Sequence, residues 1–378
     1  MTAAPVQPPL SASGRYIVDA HGRRVRLAGV NWYGAHEDDG VVSGLDRTDR
    51  VRLARAIARL GFNSVRLPFS LWMTEQATPV PDEYLAANPD LSGATPMQVY
   101  DACVEALTGA GLVVIPNCHT LDPGWCCSAD DGNGLWYSDR WPAAKFFTAW
   151  QGMAAQYKSN PLVAAMDIMN EPRRTRTGWR VLTPSWGTRP RTDIAAMYTT
   201  AGNLIHEVSP ELLIICEGLD YAADLACVAR HPVRLERPGK VVYSLHDYSW
   251  FHPGEQPRAA YLEQMERAGG YLLSQQVAPL WIGEFGTDTR SLAGISGVWW
   301  NNFEAWVTAH DVDWCWWALN PTQPKGTVPV TGRHRSDWGD PEPWGLLAPD
   351  WRGVANPQVL DILKAMIPPR TGPGVSPV

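Results

Sequence analysis

Short apolar runs recur along the chain, each pair separated by room for a helix. They are Leu27–Trp32, Phe62–Leu67, Leu112–Pro116, Val163–Met169, Leu212–Cys216, Val241–Leu245, Pro279–Phe285 and Val312–Ala318. Each is continuous rather than alternating, the pattern of a strand covered on both faces. Between them apolar residues return at helical spacing over Asp49–Leu60, Pro96–Ala110, Ala143–Lys158, Thr192–Val208, Ala259–Ser274 and Ile295–His310. Asp49 and Thr192 serve as expected N-caps and Gly61 as a C-cap. Eight strands alternating with helices, without a linker, predict an α/β fold of the (β/α)8 TIM-barrel kind. An open, doubly wound sheet is the alternative. Its dinucleotide fingerprint is missing, because Gly132-Asn133-Gly134 lacks the third glycine and follows no strand.

Residues 1–14, rich in Pro, Ala and Ser, are expected to form a disordered lead-in, and 368–378 a flexible tail. The span 15–367 is expected to be one domain. It opens with a hairpin made of Tyr16-Ile17-Val18, a turn at Ala20-His21-Gly22 and Val25-Arg26-Leu27. Segments leaving the strands are long, at 68–95, 119–141, 172–191 and 319–355. In a barrel they all lie on the C-terminal rim, where active sites are built.

Composition narrows the function. The formal net charge of −7 over 378 residues offers no basic face for nucleic acid. The densest basic group, Arg173-Arg174-Thr175-Arg176, is expected to be a solvated loop. No run of 18 apolar residues exists, so no membrane span is expected. The 19 Trp exceed what core filling needs, and indoles suit the apolar faces and hydroxyls of sugars. The seven Cys include no C-x-x-C pair and fit no zinc spacing; no H-E-x-x-H occurs. Cys216–Cys227, or a bridge involving Cys126 or Cys127, are the candidate disulfides. The N-terminus has neither a basic n-region nor an apolar h-region.

Polar residues gather where the apolar runs end: Arg66, Asn117 and His119, Asn170-Glu171-Pro172, Glu217, His246-Asp247-Tyr248, Gly283-Glu284-Phe285-Gly286, and Trp317 before Asn320-Pro321. Barrel strand ends converge, so these groups would meet in one cavity. Two carboxyl groups facing one bond, one protonated and one ionised, are what glycoside hydrolysis requires. Arg66 could hold one ionised, and the charge of Glu284 would help keep Glu171 protonated.

From about Leu27 to Trp351 the sequence resembles glycoside hydrolase family 5, the cellulase family. The resemblance rests on Arg66-Leu67-Pro68, His119, Asn170-Glu171-Pro172, His246-Asp247-Tyr248, Gly283-Glu284-Phe285-Gly286 and Trp317. Residues Gly124–Gly134 are similar to a loop of plant cellulase-like members. The resemblance implies a retaining β-glycosidase with neither metal nor cofactor. Glu171 would be the acid/base and Glu284 the nucleophile, bonded by Arg66 and Tyr248. Asn170 would bind the sugar 2-hydroxyl, with His119 and His246 lining that subsite. Trp317 rather than Trp316 would be its floor, and Asn31 and Trp32 would border it. It also implies a carbohydrate partner, a monomer, and secretion with a trimmed signal; a native start at Met1 would place the chain inside the cell. Long rim segments could close the cleft into a pocket, so exo-acting β-glucosidase or β-mannosidase activity stands beside endo cleavage. A barrel that binds sugar without catalysis is the non-enzyme alternative.

Overall fold

The computed structural model describes residues 6–252, 254–290, 292–325 and 338–367. The expected tail 368–378 and the middle of the last rim segment lie outside them. Eight parallel strands close a barrel: β1 Ala28–Asn31, β2 Ser64–Ser70, β3 Val113–Thr120, β4 Ala165–Asp167, β5 Leu213–Glu217, β6 Val241–Tyr248, β7 Leu280–Gly286 and β8 Asp313–Trp316. Neighbours follow chain order, and β8 pairs with β1 to complete the ring.

The helices are α1 Arg50–Leu60, α2 Pro96–Gly109, α3 Ala143–Tyr157, α4 Ile194–Val208, α5 Arg258–Met265, α6 Gly294–His310 and α7 Pro357–Met366. Asp49 caps α1 through the Arg52 N–H, and Gly61 ends it at φ 104°. α4 is capped by Asp193, not by the expected Thr192, whose hydroxyl instead meets that of Ser185 at 3.1 Å. A wide turn, Glu266–Gly270, continues α5 into Tyr271–Ser274. β5 is followed only by short turns, at Leu219–Ala222 and Ala226–Ala229. α7 was not anticipated. No helix among the described residues is long and apolar enough to cross a membrane.

Strand pleating sorts the apolar residues into two cores. Val30, Val65, Leu67, Val114, Met166, Ile214, Leu245 and Ile282 face outward and pack under the helices. Val113, Ile115, Ala165, Leu213, Ile215, Val242, Trp281 and Cys315 fill the barrel interior. Both faces are apolar, which explains the continuous runs. Leu10, Ile17, Val25 and Leu27 join the interior cluster and close the N-terminal end. The expectation of disorder through residue 14 is therefore corrected. Ser11–Ser13 pairs antiparallel with Tyr16–Val18, and the second arm of the expected hairpin contributes only a bridge, Val18 to Arg24.

Candidate active site

Above the apolar interior, the same pleat turns polar residues inward at the C-terminal end of the barrel. Asn31 on β1, Arg66 on β2, Asp167 on β4, Glu217 on β5 and His246 on β6 keep the inward-facing phase, two residues past Gly29, Ser64, Ala165, Ile215 and Ser244. Glu284 needs a further device, because strict alternation would place it outward with Ile282. Pairing between β6 and β7 jumps from Leu245–Ile282 to His246–Glu284. This bulge leaves Gly283 over and re-aims Glu284 into the barrel. A Cβ at Gly283 would meet Ser244 Oγ at 2.7 Å and His246 Nε2 at 3.1 Å, so glycine is required there.

Arg66, fully buried, is the hub. Its Nε donates to Asp167 Oδ2 at 2.7 Å, and Nη1 donates to Asn31 Oδ1 at 3.0 Å and Glu284 Oε1 at 2.5 Å. Nη2 donates to Asn170 Oδ1 at 2.7 Å and Glu217 Oε1 at 2.9 Å. The other Glu284 oxygen accepts from Tyr248 OH at 2.7 Å. Glu171 sits just past β4 in the left-handed region, at φ 47°. Its N–H is held by Glu217 Oε2 at 2.6 Å and its carbonyl by Arg173 Nη1 at 2.9 Å. Strain of this kind persists only where neighbours enforce it. Oxygens of Glu171 and Glu284 and a nitrogen of His246 lie within 4.8 Å of one another.

The two carboxyls sit in different electrostatic settings. Burial, and then the charge of Glu284, push the Glu171 pKa up, against the hydrogen bond with His246 Nδ1 at 2.9 Å. Burial opposes charge on Glu217 too, yet His246 and Arg66 hold its pKa down to about 2. His246 is raised well above the ordinary imidazole value: burial disfavours its cation, but Glu284 and Glu217 outweigh that. Burial and the neighbouring His36 lower His119 well below it.

A cavity of about 350 Å³ opens above these groups, lined by Glu171, Glu284, His119, Tyr248, Cys126 and Cys127 and by Trp125, Tyr221, Trp250, Phe251, Trp317 and Trp344. Trp317 stacks on Tyr33 with centroids 4.9 Å apart and planes at 2°, and on His119 at 5.5 Å.

The family model described as Cellulase (glycosyl hydrolase family 5) matches residues 18–323. The chain belongs to glycoside hydrolase family 5. It is similar to an endoglucanase of Paenibacillus polymyxa, 30% identical over 84% of this chain and 81% of that protein. A glycosyl hydrolase 5 family protein of Chamaecyparis obtusa is 31% identical over 98% of this chain and 68% of its own length. Among solved structures, the catalytic domain of the major endoglucanase of Xanthomonas campestris pv. campestris superposes with TM-score 0.78 at 24% identity, covering 94% of this chain and 99% of that one. An endocellulase from Pyrococcus horikoshii, solved with cellotetraose, also gives 0.78, at 23% identity over 96% and 99% of the chains. As a family 5 member the chain is a retaining glycosidase.

Of the residues singled out from sequence, the structure brings Asn31, Arg66, His119, Asn170, Glu171, His246, Tyr248, Glu284 and Trp317 together. Trp32 is a correction. Its ring is fully buried under the helices and its Nε1 donates to Ser43 O at 2.9 Å. The pleat that turns Asn31 inward turns Trp32 out, and the fully buried Tyr33 backs Trp317. Trp316 faces outward, donating to Trp344 O at 3.0 Å, while Trp317 reaches the cavity. Cys216 and Cys227 are both free, whereas Cys126 and Cys127 are bonded to each other. Arg173 is no solvated residue either. It is fully buried and paired with Asp131 at 2.5 Å, while Arg174 and Arg176 are exposed. Sequence reasoning missed Tyr221, Trp250 and Phe251, which line the cavity. Tyr221 reaches the cavity through consecutive left-handed residues, Asp220 to Ala222, which no sequence pattern announces.

Proposed function

We propose that this family 5 member hydrolyses β-linked glucans by endo cleavage, with Glu284 as nucleophile and Glu171 as acid/base. One observation carries the assignment. The two carboxyls approach within 4.8 Å, and their surroundings divide the labour. Retention needs carboxyls about 5–5.5 Å apart, whereas inversion needs about 6.5–9.5 Å to admit a water. Glu284, bonded by the Arg66 guanidinium and the Tyr248 hydroxyl, is held in place and aimed at the anomeric carbon. Glu171, pushed toward its protonated form by burial, gives its proton to the departing oxygen. It then removes the proton of the water that releases the glycosyl-enzyme. Trp317 supplies an apolar face for the sugar ring. The endoglucanase names of its relatives support glucan and internal cleavage.

The roles are tested by azide rescue. Glu284→Ala should lose turnover on every substrate, with azide restoring an α-glycosyl azide. Glu171→Ala should still glycosylate with a dinitrophenyl glycoside, and azide should release a β-glycosyl azide. Exchanged products would mean exchanged roles. A second reading, exo action on short oligosaccharides, is favoured by the meeting of rim residues over Tyr33. Trp125 and Trp338 approach its ring at 5.6 and 6.0 Å, and Trp125 walls the cavity on that side. Product sizes from a soluble β-glucan separate the two: a rapid fall in viscosity marks endo cleavage, and release of only mono- or disaccharide marks exo.

A further inference from the structure

The rim segment after β3 carries a feature that the proposed chemistry does not use. Cys126 and Cys127, adjacent in sequence and half-buried, are bonded to each other and line the cavity beside Glu171 and Glu284. Their sulphurs lie 3.4 and 3.5 Å from Asn170 Nδ2, and both fall within 4.8 Å of a ring nitrogen of His119. The Asn170 amide cannot turn away, because its Oδ1 accepts from Arg66 Nη2 at 2.7 Å. The segment itself is fixed from below. Asp131 pairs with buried Arg173, which also holds the carbonyl of Glu171.

Bridging removes both S–H donors and leaves only weakly accepting sulphur. The result is a wall without useful hydrogen-bonding capacity directly beside an amide donor. Sulphur accepts too weakly to satisfy Asn170 Nδ2, so a well-placed sugar hydroxyl is the better partner. A hydroxyl displaced from that line would lose the amide and face sulphur instead.

We propose that the Cys126–Cys127 disulfide is a specificity-determining wall of the sugar site. Beside the Asn170 amide that Arg66 holds, it rejects the epimer of the substrate whose 2-hydroxyl leaves the ring plane, so that glucosides are preferred to mannosides. The proposal rests on the reading of this cavity as the glycosidase site. Selectivity in such a pocket comes from the polar group that loses its partner with the wrong substrate.

The test uses the full chain and two aryl glycosides, p-nitrophenyl β-glucoside and p-nitrophenyl β-mannoside. Intact mass with and without iodoacetamide should first show the pair oxidised; finding both thiols free would overturn the proposal. The ratio of kcat/KM, glucoside over mannoside, is then measured for the wild type and for the Cys126→Ala/Cys127→Ala double variant. The ratio should fall about tenfold, with circular dichroism unchanged. If the double variant does not fold, the wild type kept reduced by a phosphine and left unalkylated gives the same reading on folded protein. An active wild type whose ratio survives loss of the bridge overturns the wall and leaves the glycosidase reading intact. A wild type that hydrolyses neither glycoside nor β-glucan overturns both.

Discussion

Replacing Arg66 by lysine keeps the charge and removes the fork. Arg66 makes five hydrogen bonds, to Asp167, Asn31, Glu284, Asn170 and Glu217. An ammonium has three donors radiating from one point, so at least two of those partners lose theirs. A hydrogen bond to a charged group contributes about 1.5–3 kcal/mol, which puts the destabilisation of Arg66→Lys at about 3–6 kcal/mol. With a melting entropy of about 2.1 cal/mol/K per residue over 378 residues, or about 0.8 kcal/mol/K, the midpoint should fall by about 4–8 °C. Catalysis suffers separately through Glu284. Losing the Arg66 bond, one of the two that orient the nucleophile, should lower kcat/KM by about 10- to 150-fold. Thermal unfolding and initial rates on an activated aryl glycoside measure both. A variant that keeps kcat/KM within about twofold and an unmoved midpoint would refute the hub role, since the fork would then have done nothing a point charge cannot do.

Three further outcomes are expected. Because burial and Glu284 raise the Glu171 pKa, its protonated form persists above the ordinary carboxylate range. The alkaline limb of kcat/KM should therefore lie above that range, and Glu171→Gln assayed on a dinitrophenyl glycoside should abolish the limb; a limb left in place assigns it to another group. Trp316→Ala should cost about 3–5 kcal/mol of stability with the site's groups left in place, because its ring packs edge-on against Phe285 and Trp300, whereas Trp317→Ala, which unstacks Tyr33 and His119, should lose activity in protein that is still folded at the assay temperature. Arg173→Ala strands the buried Asp131 carboxylate, so it should open a protease-sensitive site within 119–141 and depress kcat/KM although Arg173 is not among the cavity-lining residues.

The barrel was legible because both faces of its strands are apolar, which marks eight runs that no other element type explains as well. The inner polar ring was legible where a long strand kept its phase, as on β2 and β6. β1 spans only Ala28–Asn31, and a continuous apolar run carries no phase, so Trp32 and Tyr33 could not be told apart. The burial of Arg173 depends on Asp131, 42 residues earlier, and composition registers no such pairing. The same holds for Leu10, whose Pro-rich setting says nothing of the barrel floor it closes. α7 did leave a signal that went unread: Asn356 before Pro357, then Val359, Leu360, Leu363 and Met366 on one face.

Arg173 ties the backbone of Glu171 to Ser128 O and Asp131 in the neighbouring rim segment. The segments after β3 and β4 therefore cannot be exchanged independently. A chimera that imports a relative's 119–141 segment while keeping 172–191 would leave Arg173 facing a foreign partner and loosen the Glu171 carbonyl with it. Swapping the two segments together should preserve the joint, which makes the pair, rather than either loop, the unit by which a new sugar preference could be grafted onto this barrel.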